Sequence, residues 1–219
     1  MAELEFRRAE LEQANKALRE ANDEKAHILG VVAHDLRSGI GGMSGIAALL
    51  DMSRLEQGRL NLHLEIADLR GLVAESLAYH AHFAANKNQR LIGDRCDVAL
   101  RCAFDPVRLR QVLDNLLSNA IKYSPPGAEI RVSQRAEGPL AVVEILDQGP
   151  GLTEADAAKV FRSFQKLSAQ PTAGEDSHGL GLAIAKKVVE SHHGTIWARN
   201  RTDQRGAAFG LSLAMRPGA

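Results

Sequence analysis

Four short motifs follow one another in fixed order along this 219-residue chain: Ala33-His34-Asp35-Leu36-Arg37, Asn115-Leu116-Leu117-Ser118-Asn119, Asp147-Gln148-Gly149-Pro150-Gly151 and Gly179-Leu180-Gly181-Leu182. The periodicity around each motif assigns it to a different kind of element. The first lies on a stripe of helical spacing, and the second on a helix opened by Asp105-Pro106, a capping residue followed by proline at the first turn. The third ends a strand and continues into a loop, and the fourth opens a helix.

From Leu62 onward helices and strands alternate. The pattern predicts a helix over 67–88, strands near 90–94 and 99–104, a helix over 106–123 and strands near 129–136 and 140–147. A short helix from Thr153, an irregular stretch over 165–177, a helix over 179–193 and strands near 195–199 and 207–214 complete it. The expected fold is an α/β (α+β) two-layer sandwich, one mixed sheet with helices on a single face. Residues 1–61 and 62–219 are expected to be separate domains.

The first segment reads as a long helix. Leu4, Leu11 and Leu18 recur every seven residues, and Ala14, Ala21 and Ile28 supply the complementary seam positions. Arg7 and Lys25 interrupt that seam, so two readings stand: a weak coiled coil, or one amphipathic helix packed on its own globular domain. The stripe continues through Leu29, Val32, Leu36, Ile40, Met43, Ala47 and Leu50. His34 sits roughly 200° round the helix from Leu36 and projects away from this stripe.

Charge and composition exclude several classes. Lys plus Arg and Asp plus Glu are equal at 27 each, so no net field favours nucleic acid or an anionic membrane. No run reaches the ~20 apolar residues of a membrane span, and residues 1–25 are too charged for a signal peptide. The expectation is a cytoplasmic chain with no membrane segment. Cys96 and Cys102 fit neither a metal site nor a disulfide framework, and the histidines other than His34 form no ligand pair.

The motif residues carry definite chemistry. Asp35 can accept the proton of one His34 ring nitrogen and leave the other as a nucleophile. Asn115, Asn119 and Lys122 form a polar stripe opposite the apolar face of Leu109, Val112, Leu113, Leu116, Leu117 and Ala120. An amide oxygen from Asn119 suits magnesium, which prefers oxygen ligands and keeps water beside nucleotide phosphates. Asp147 can accept from the exocyclic amine of adenine, and Gly149 and Gly151 let the backbone approach the ring. Gly179, Leu180 and Gly181 open a helix whose N–H groups suit phosphate.

These motifs, in this order, resemble those of the sensor histidine kinases of two-component signalling, and the resemblance covers nearly the whole chain. Residues 3–34 resemble the signal-transmitting helix running into the phosphoacceptor box, and residues from 62 resemble the GHKL-type ATP-binding catalytic domain. The resemblance implies ATP and Mg²⁺ as cofactors, His34 as phosphoacceptor and Asp35 as its orienting carboxylate. It further implies Asn119 as the metal ligand with Asn115 in support, Lys122 and Lys166 facing phosphate, and Tyr123 lining the pocket. Phe161 and Phe164 fit the family's aromatic box and residues 165–177 its lid. A solvated helix face remains the alternative for Lys122 and Tyr123, and a surface lysine for Lys166. The implied partners are a response-regulator receiver domain and a second copy in a homodimer.

The chain departs from that family in four respects. Ser38-Gly39 replaces the usual Asn or Thr followed by Pro, Gly39, Gly41, Gly42 and Gly45 soften the helix, and Ser177 stands where a glycine is usual. The family's second antiparallel helix, which ends in a segment resembling Asp51 to Leu60, has too little room here: Ser53 follows His34 by under ~30 Å of helix, enough for one arm of a hairpin but not for two. The dimerisation hairpin therefore reads as shortened and the homodimer as weakened. A continuous helix over 3–57 and a break in the glycine cluster both fit. The leading function is an ATP-dependent protein-histidine kinase that labels His34 and passes phosphate to a receiver aspartate. The alternative is an ATP-binding regulatory or pseudokinase module that does not label itself.

Overall fold

The computed structural model describes Gln13 and residues 61–216 apart from Phe164, Lys166 and residues 173–178. The expected signalling helix, its glycine cluster, His34, Asp35, Phe164, Lys166 and Ser177 lie outside the described residues. Residues 61–216 fall within one compact unit, Met52–Ala219.

Two aspartates set where the first two helices begin. Glu65–Asp68 form β1, and Asp68 then caps α1 (Leu69–Asn86) by accepting the Arg70 backbone N–H at 3.1 Å. The same Oδ1 accepts the N–H of Leu100 at 3.2 Å, which ties the start of α1 to the approach of β3 (Arg101–Phe104). Sequence periodicity expects the helix from 67, and the structure corrects that start: the Asp68 side chain can satisfy helix N–H groups only from outside the helix. Asp105 repeats the device for α2 (Pro106–Tyr123), accepting from Val107 at 3.0 Å and Arg108 at 3.1 Å, with Pro106 at the first turn. Its other oxygen accepts the His63 N–H at 3.0 Å. The bounds of α2 are those expected from the sequence.

The remaining elements are β2 (Arg90–Gly93), β4 (Glu129–Glu137), β5 (Leu140–Leu146), α3 (Glu154–Ala157), α4 (Gly181–Ser191), β6 (Thr195–Asn200) and β7 (Ala207–Ala214). They build a five-stranded sheet in the order β2-β4-β5-β7-β6, parallel between β2 and β4 and antiparallel elsewhere. The expected single sheet is therefore divided, because β1 and β3 form their own antiparallel ladder with Glu65 opposite Phe104. A bridge from Cys102 to Met215 holds that ladder to the end of β7.

Register decides which sheet face meets the helices. Val143 pairs with Leu211, Ile145 with Phe209 and Ala141 with Leu213, so these side chains share one face. Leu213 on that face approaches Val189 of α4 around Gly194. Leu109, Val112, Leu113, Leu116, Leu117 and Ala120 of α2 are each at most 1% exposed, as their helical spacing predicts. Complete burial of a leucine or valine side chain stabilises by about 1.5–3 kcal/mol, so this stripe fixes α2 against the rest of the core. The opposite sheet face carries Arg135, Glu144, Trp197 and Arg199, joined by ion pairs and a Trp197 hydrogen bond to Glu144.

Candidate nucleotide-binding site

The strand β5 is buried along most of its length, and it delivers Asp147 into the interior at its end. Asp147 is 4% exposed. Its Oδ1 accepts the N–H groups of Gly149 and Ala207, both at 2.9 Å, while its backbone N–H donates to the Ala207 carbonyl at 2.9 Å. Oδ2 takes no hydrogen bond among the described residues, which leaves an acceptor for a ligand. Burial pushes the Asp147 carboxyl above the ordinary carboxylate range, against the two N–H groups and the charge of Arg201, which pull it down.

The loop after Asp147 lies tight against its neighbours. A Cβ on Gly149 would stand 3.0 Å from the Tyr123 carbonyl oxygen, so the third motif passes directly under the end of α2. Leu152 donates its N–H to Asn200 Oδ1 at 2.6 Å and accepts from Asn200 Nδ2 at 2.8 Å, so that one side chain pairs with the loop as a strand would. Arg201 donates to the Asp147 carbonyl at 3.1 Å. A Cβ on Gly206 would sit 2.1 Å from that same carbonyl oxygen. Asn200, Arg201 and Gly206 brace the site from the far end of the chain. No local sequence pattern announces them, because each acts through a contact with residues some fifty positions away.

Asn119, Tyr123, Asp147, Pro150, Gly151 and Leu182 line one cleft, with Leu152, Leu167, Ala169, Ala207 and Phe209 making its apolar wall. Three of the four motifs thus meet in one place. Asn115 stands one turn before Asn119 on α2, and a Cβ on Gly181 would lie 3.0 Å from Asn115 Oδ1. This contact seats the amide stripe against the first turn of α4. Gly179 and Leu180 precede that turn, and α4 has no side-chain cap, whereas α1, α2 and α3 are capped by Asp68, Asp105 and Thr153. Uncapped N–H groups at a helix start are donors for an anion, and the helix dipole favours negative charge there. Lys122 lies near the end of α2, where its carbonyl accepts from Lys87 and Thr172.

The donors fit adenine and phosphate, with a carboxylate oxygen left open in an apolar cleft and helix N–H groups at the Asn115 end of the site. Among the described residues no group of three or more His, Cys, Asp or Glu side chains could hold a metal ion. A magnesium ion here would therefore draw on the Asn119 amide oxygen, nucleotide phosphates and water, which is an acceptable set for that ion. No described helix is long and apolar enough to cross a membrane.

Comparison with known proteins shows the family. The profile of the histidine kinase-, DNA gyrase B-, and HSP90-like ATPases matches residues 104–217. The chain belongs to this family. It is 29% identical to the signal transduction histidine-protein kinase BarA of Escherichia coli (strain K12), an alignment covering 95% of this chain and 27% of BarA. It is 32% identical to the sensor-like histidine kinase SenX3 of Mycolicibacterium smegmatis, over 78% of this chain and 44% of SenX3. The solved mycobacterial sensor histidine kinase MprB superposes with a TM-score of 0.61 at 27% identity, covering 71% of this chain and 99% of that structure. The chain spans less than half the length of the curated relatives named here. The matched stretch begins just before the Asp105 cap of α2 and contains every residue that lines the cleft.

Proposed function

We propose that this chain is an ATP- and Mg²⁺-dependent protein-histidine kinase module, with residues 62–219 binding ATP and residues 1–61 presenting His34. The observation that carries the nucleotide half is Asp147: a buried carboxylate with one oxygen held by Gly149 and Ala207 and the other left for the adenine amine. The purine lies between Asp147 and the apolar wall of Leu152, Leu167 and Phe209, and the phosphates run toward Asn119 and the first turn of α4. Asn119, with Asn115 in support, would hold a magnesium ion, which would neutralise phosphate charge. In this reading Lys122 and Lys166 face the phosphates and Tyr123 lines the nucleotide pocket.

In the transfer, Asp35 takes the proton hydrogen bond of one His34 ring nitrogen and the other nitrogen attacks the γ-phosphorus. The bond from that phosphorus to the bridging oxygen breaks and ADP leaves. Attacker and phosphorus need to approach to roughly 3–3.5 Å in line. The phosphoryl group then passes to an aspartate on a response-regulator receiver domain in the cytoplasm, and a homodimer is the working form.

The second reading, an ATP-binding module that does not label itself, draws on one observation. The BarA alignment runs over 245 positions, more than the 219 residues of this chain, so BarA carries residues that this chain lacks. In this reading those residues belong to the hairpin after His34, whose shortening would impair presentation of the histidine.

Incubation of the full chain with γ-labelled ATP tests the proposal. The kinase reading expects acid-labile label on the parent, none on His34→Gln, and strong loss on Asn119→Ala. ATP binding without label would sink the kinase reading in favour of the second, and steady phosphate release without phosphohistidine would mark a simple ATPase.

A further inference from the structure

Residues 167–172 run beside the cleft in an alternating pattern. Leu167, Ala169 and Pro171 are half-buried while Ser168, Gln170 and Thr172 are exposed, and Leu167 and Ala169 line the cleft. Hydrogen bonds hold this stretch at two points. Toward its start, Asp156 of α3 accepts the Ser168 N–H at 3.2 Å and the Ser168 hydroxyl, and also the Thr153 hydroxyl at 2.8 Å. At its end, the Thr172 N–H donates to the Lys122 carbonyl at 3.1 Å, and its hydroxyl lies 3.0 Å from the carbonyls of Lys122 and Ser124. Lys87 completes this second point: its ammonium donates to Thr172 Oγ1 at 2.6 Å, to the Ile121 carbonyl at 2.9 Å and to the Lys122 carbonyl at 3.2 Å.

We propose that residues 167–172 are a strap pinned at both ends, and that Asp156 and Lys87 are positioning residues which, through Ser168 and Thr172, hold Leu167 and Ala169 as a wall of the nucleotide cleft. Between the pins lie three residues, Ala169 to Pro171, too few to slacken far while both ends are held. The Lys87 pin has a further consequence. A cation among the last carbonyls of α2 is favoured by the helix dipole, so the group that fixes the strap also steadies the end of the helix carrying Asn119 and Tyr123. Neither Asp156 nor Lys87 lines the cleft, so each acts on the ligand through the wall it positions.

The proposal rests on the nucleotide reading above, and its test separates the two. The full chain is compared with Ser168→Ala, Thr172→Val, Thr172→Ser and Lys87→Met for amide hydrogen exchange at residues 168–172, for affinity toward a non-hydrolysable ATP analogue and for urea unfolding midpoint. Ser168→Ala and Thr172→Val are each expected to speed exchange in the strap and weaken analogue binding about tenfold, the loss of a hydrogen bond to a charged group. Thr172→Ser restores both readouts, and Lys87→Met combined with Thr172→Val costs less than the sum of the two, since they share the Lys87–Thr172 bond. Unchanged strap exchange in the pin variants overturns the pins. Faster exchange with unchanged affinity, or a loss of affinity that only follows a lowered unfolding midpoint, overturns the positioning role. A parent that binds no analogue overturns the nucleotide reading and the positioning role together, while the exchange measurement still reports whether the pins exist.

Discussion

His192 Nε2 accepts the backbone N–H of Asp105 at 3.0 Å, joining the residue after α4 to the residue before α2. Because Nε2 accepts, the ring proton is on Nδ1, which donates to the Val188 carbonyl at 2.8 Å. Both residues are buried, so neither bond can be replaced by bulk water. The bond matters for the site because α2 carries Asn115 and Asn119 and α4 carries the uncapped first turn that Asn115 touches.

His192→Phe should therefore orphan the Asp105 N–H inside the protein. The expected cost is about 1–3 kcal/mol of unfolding free energy, the penalty for a buried donor without a partner. Urea unfolding read by circular dichroism checks it: a midpoint equal to that of the parent would show that the helices do not depend on this bond.

Asp147→Asn should separate ligand recognition from folding. An asparagine Oδ1 can still accept from Gly149 and Ala207, but its other atom becomes a donor facing the adenine amine, which is also a donor. Affinity for adenine nucleotide should drop about tenfold or more, by the 1.5–3 kcal/mol of a hydrogen bond to a charged group. Stability should hold or rise. A carboxyl raised above its unfolded value of 3.8 binds more protons in the fold than in the unfolded chain, so its ionisation costs stability as pH increases through that raised value. The same shift predicts that parent affinity declines on acidification as Asp147 protonates, and that the Asn variant lacks this component. Calorimetric titration with an ATP analogue, carried from neutral pH down toward 3.8, would expose a failure of either part.

The sequence made α2 legible to the residue because two signals coincide there, a capping aspartate before proline and an apolar stripe of unbroken spacing. β1 was missed for a related reason. Its four residues, Glu65-Ile66-Ala67-Asp68, have no strong strand character and pair with β3 some thirty-five positions away, while Ala67 and Asp68 blend into the helical pattern that follows. The cleft residues Asn119, Asp147 and Gly151, and Gly149 whose N–H holds Asp147, were visible because each sits in a short motif whose chemistry is local. Asn200, Arg201, Lys87 and Asp156 were not, since each works through a side-chain contact that exists only once separate segments have been brought together, and Gly206 was not, since its need is the close approach of the Asp147 carbonyl.

Glu144 should carry pH-dependent stability on the sheet face away from the helices. Burial pushes its carboxyl up, but bonds from Arg199, Arg135 and Trp197 outweigh that and hold it below the ordinary 4.5. A depressed carboxyl contributes stability that is present above the unfolded value and lost as pH falls through the folded one. The arginine side chains are 40% and 50% exposed, so solvent screens the pairs. Glu144→Gln should cost about 1–2 kcal/mol at pH 7, the 1.5–3 kcal/mol of a bond to a charged group reduced by that screening. The difference from the parent should shrink as pH drops below 4.5, and a difference independent of pH would show that shape rather than charge matters at this position.

Gly206→Ala should damage both the fold and the site. The residue has φ +139, a conformation that side chains rarely adopt, and its added Cβ would lie 2.1 Å from the Asp147 carbonyl oxygen. Neither neighbour can yield cheaply. The Asp147 N–H and carboxylate are committed to Ala207, the next residue, and Arg201 holds the carbonyl itself. Relief of the clash therefore has to move the β5 end away from β7, which withdraws the carboxylate from the cleft. A loss of about 2–4 kcal/mol is expected from strain and overpacking together. Nucleotide affinity should fall by at least as much as in Asp147→Asn. A folded Gly206→Ala protein that bound the analogue as the parent does would show that the 201–206 loop can shift without moving Asp147.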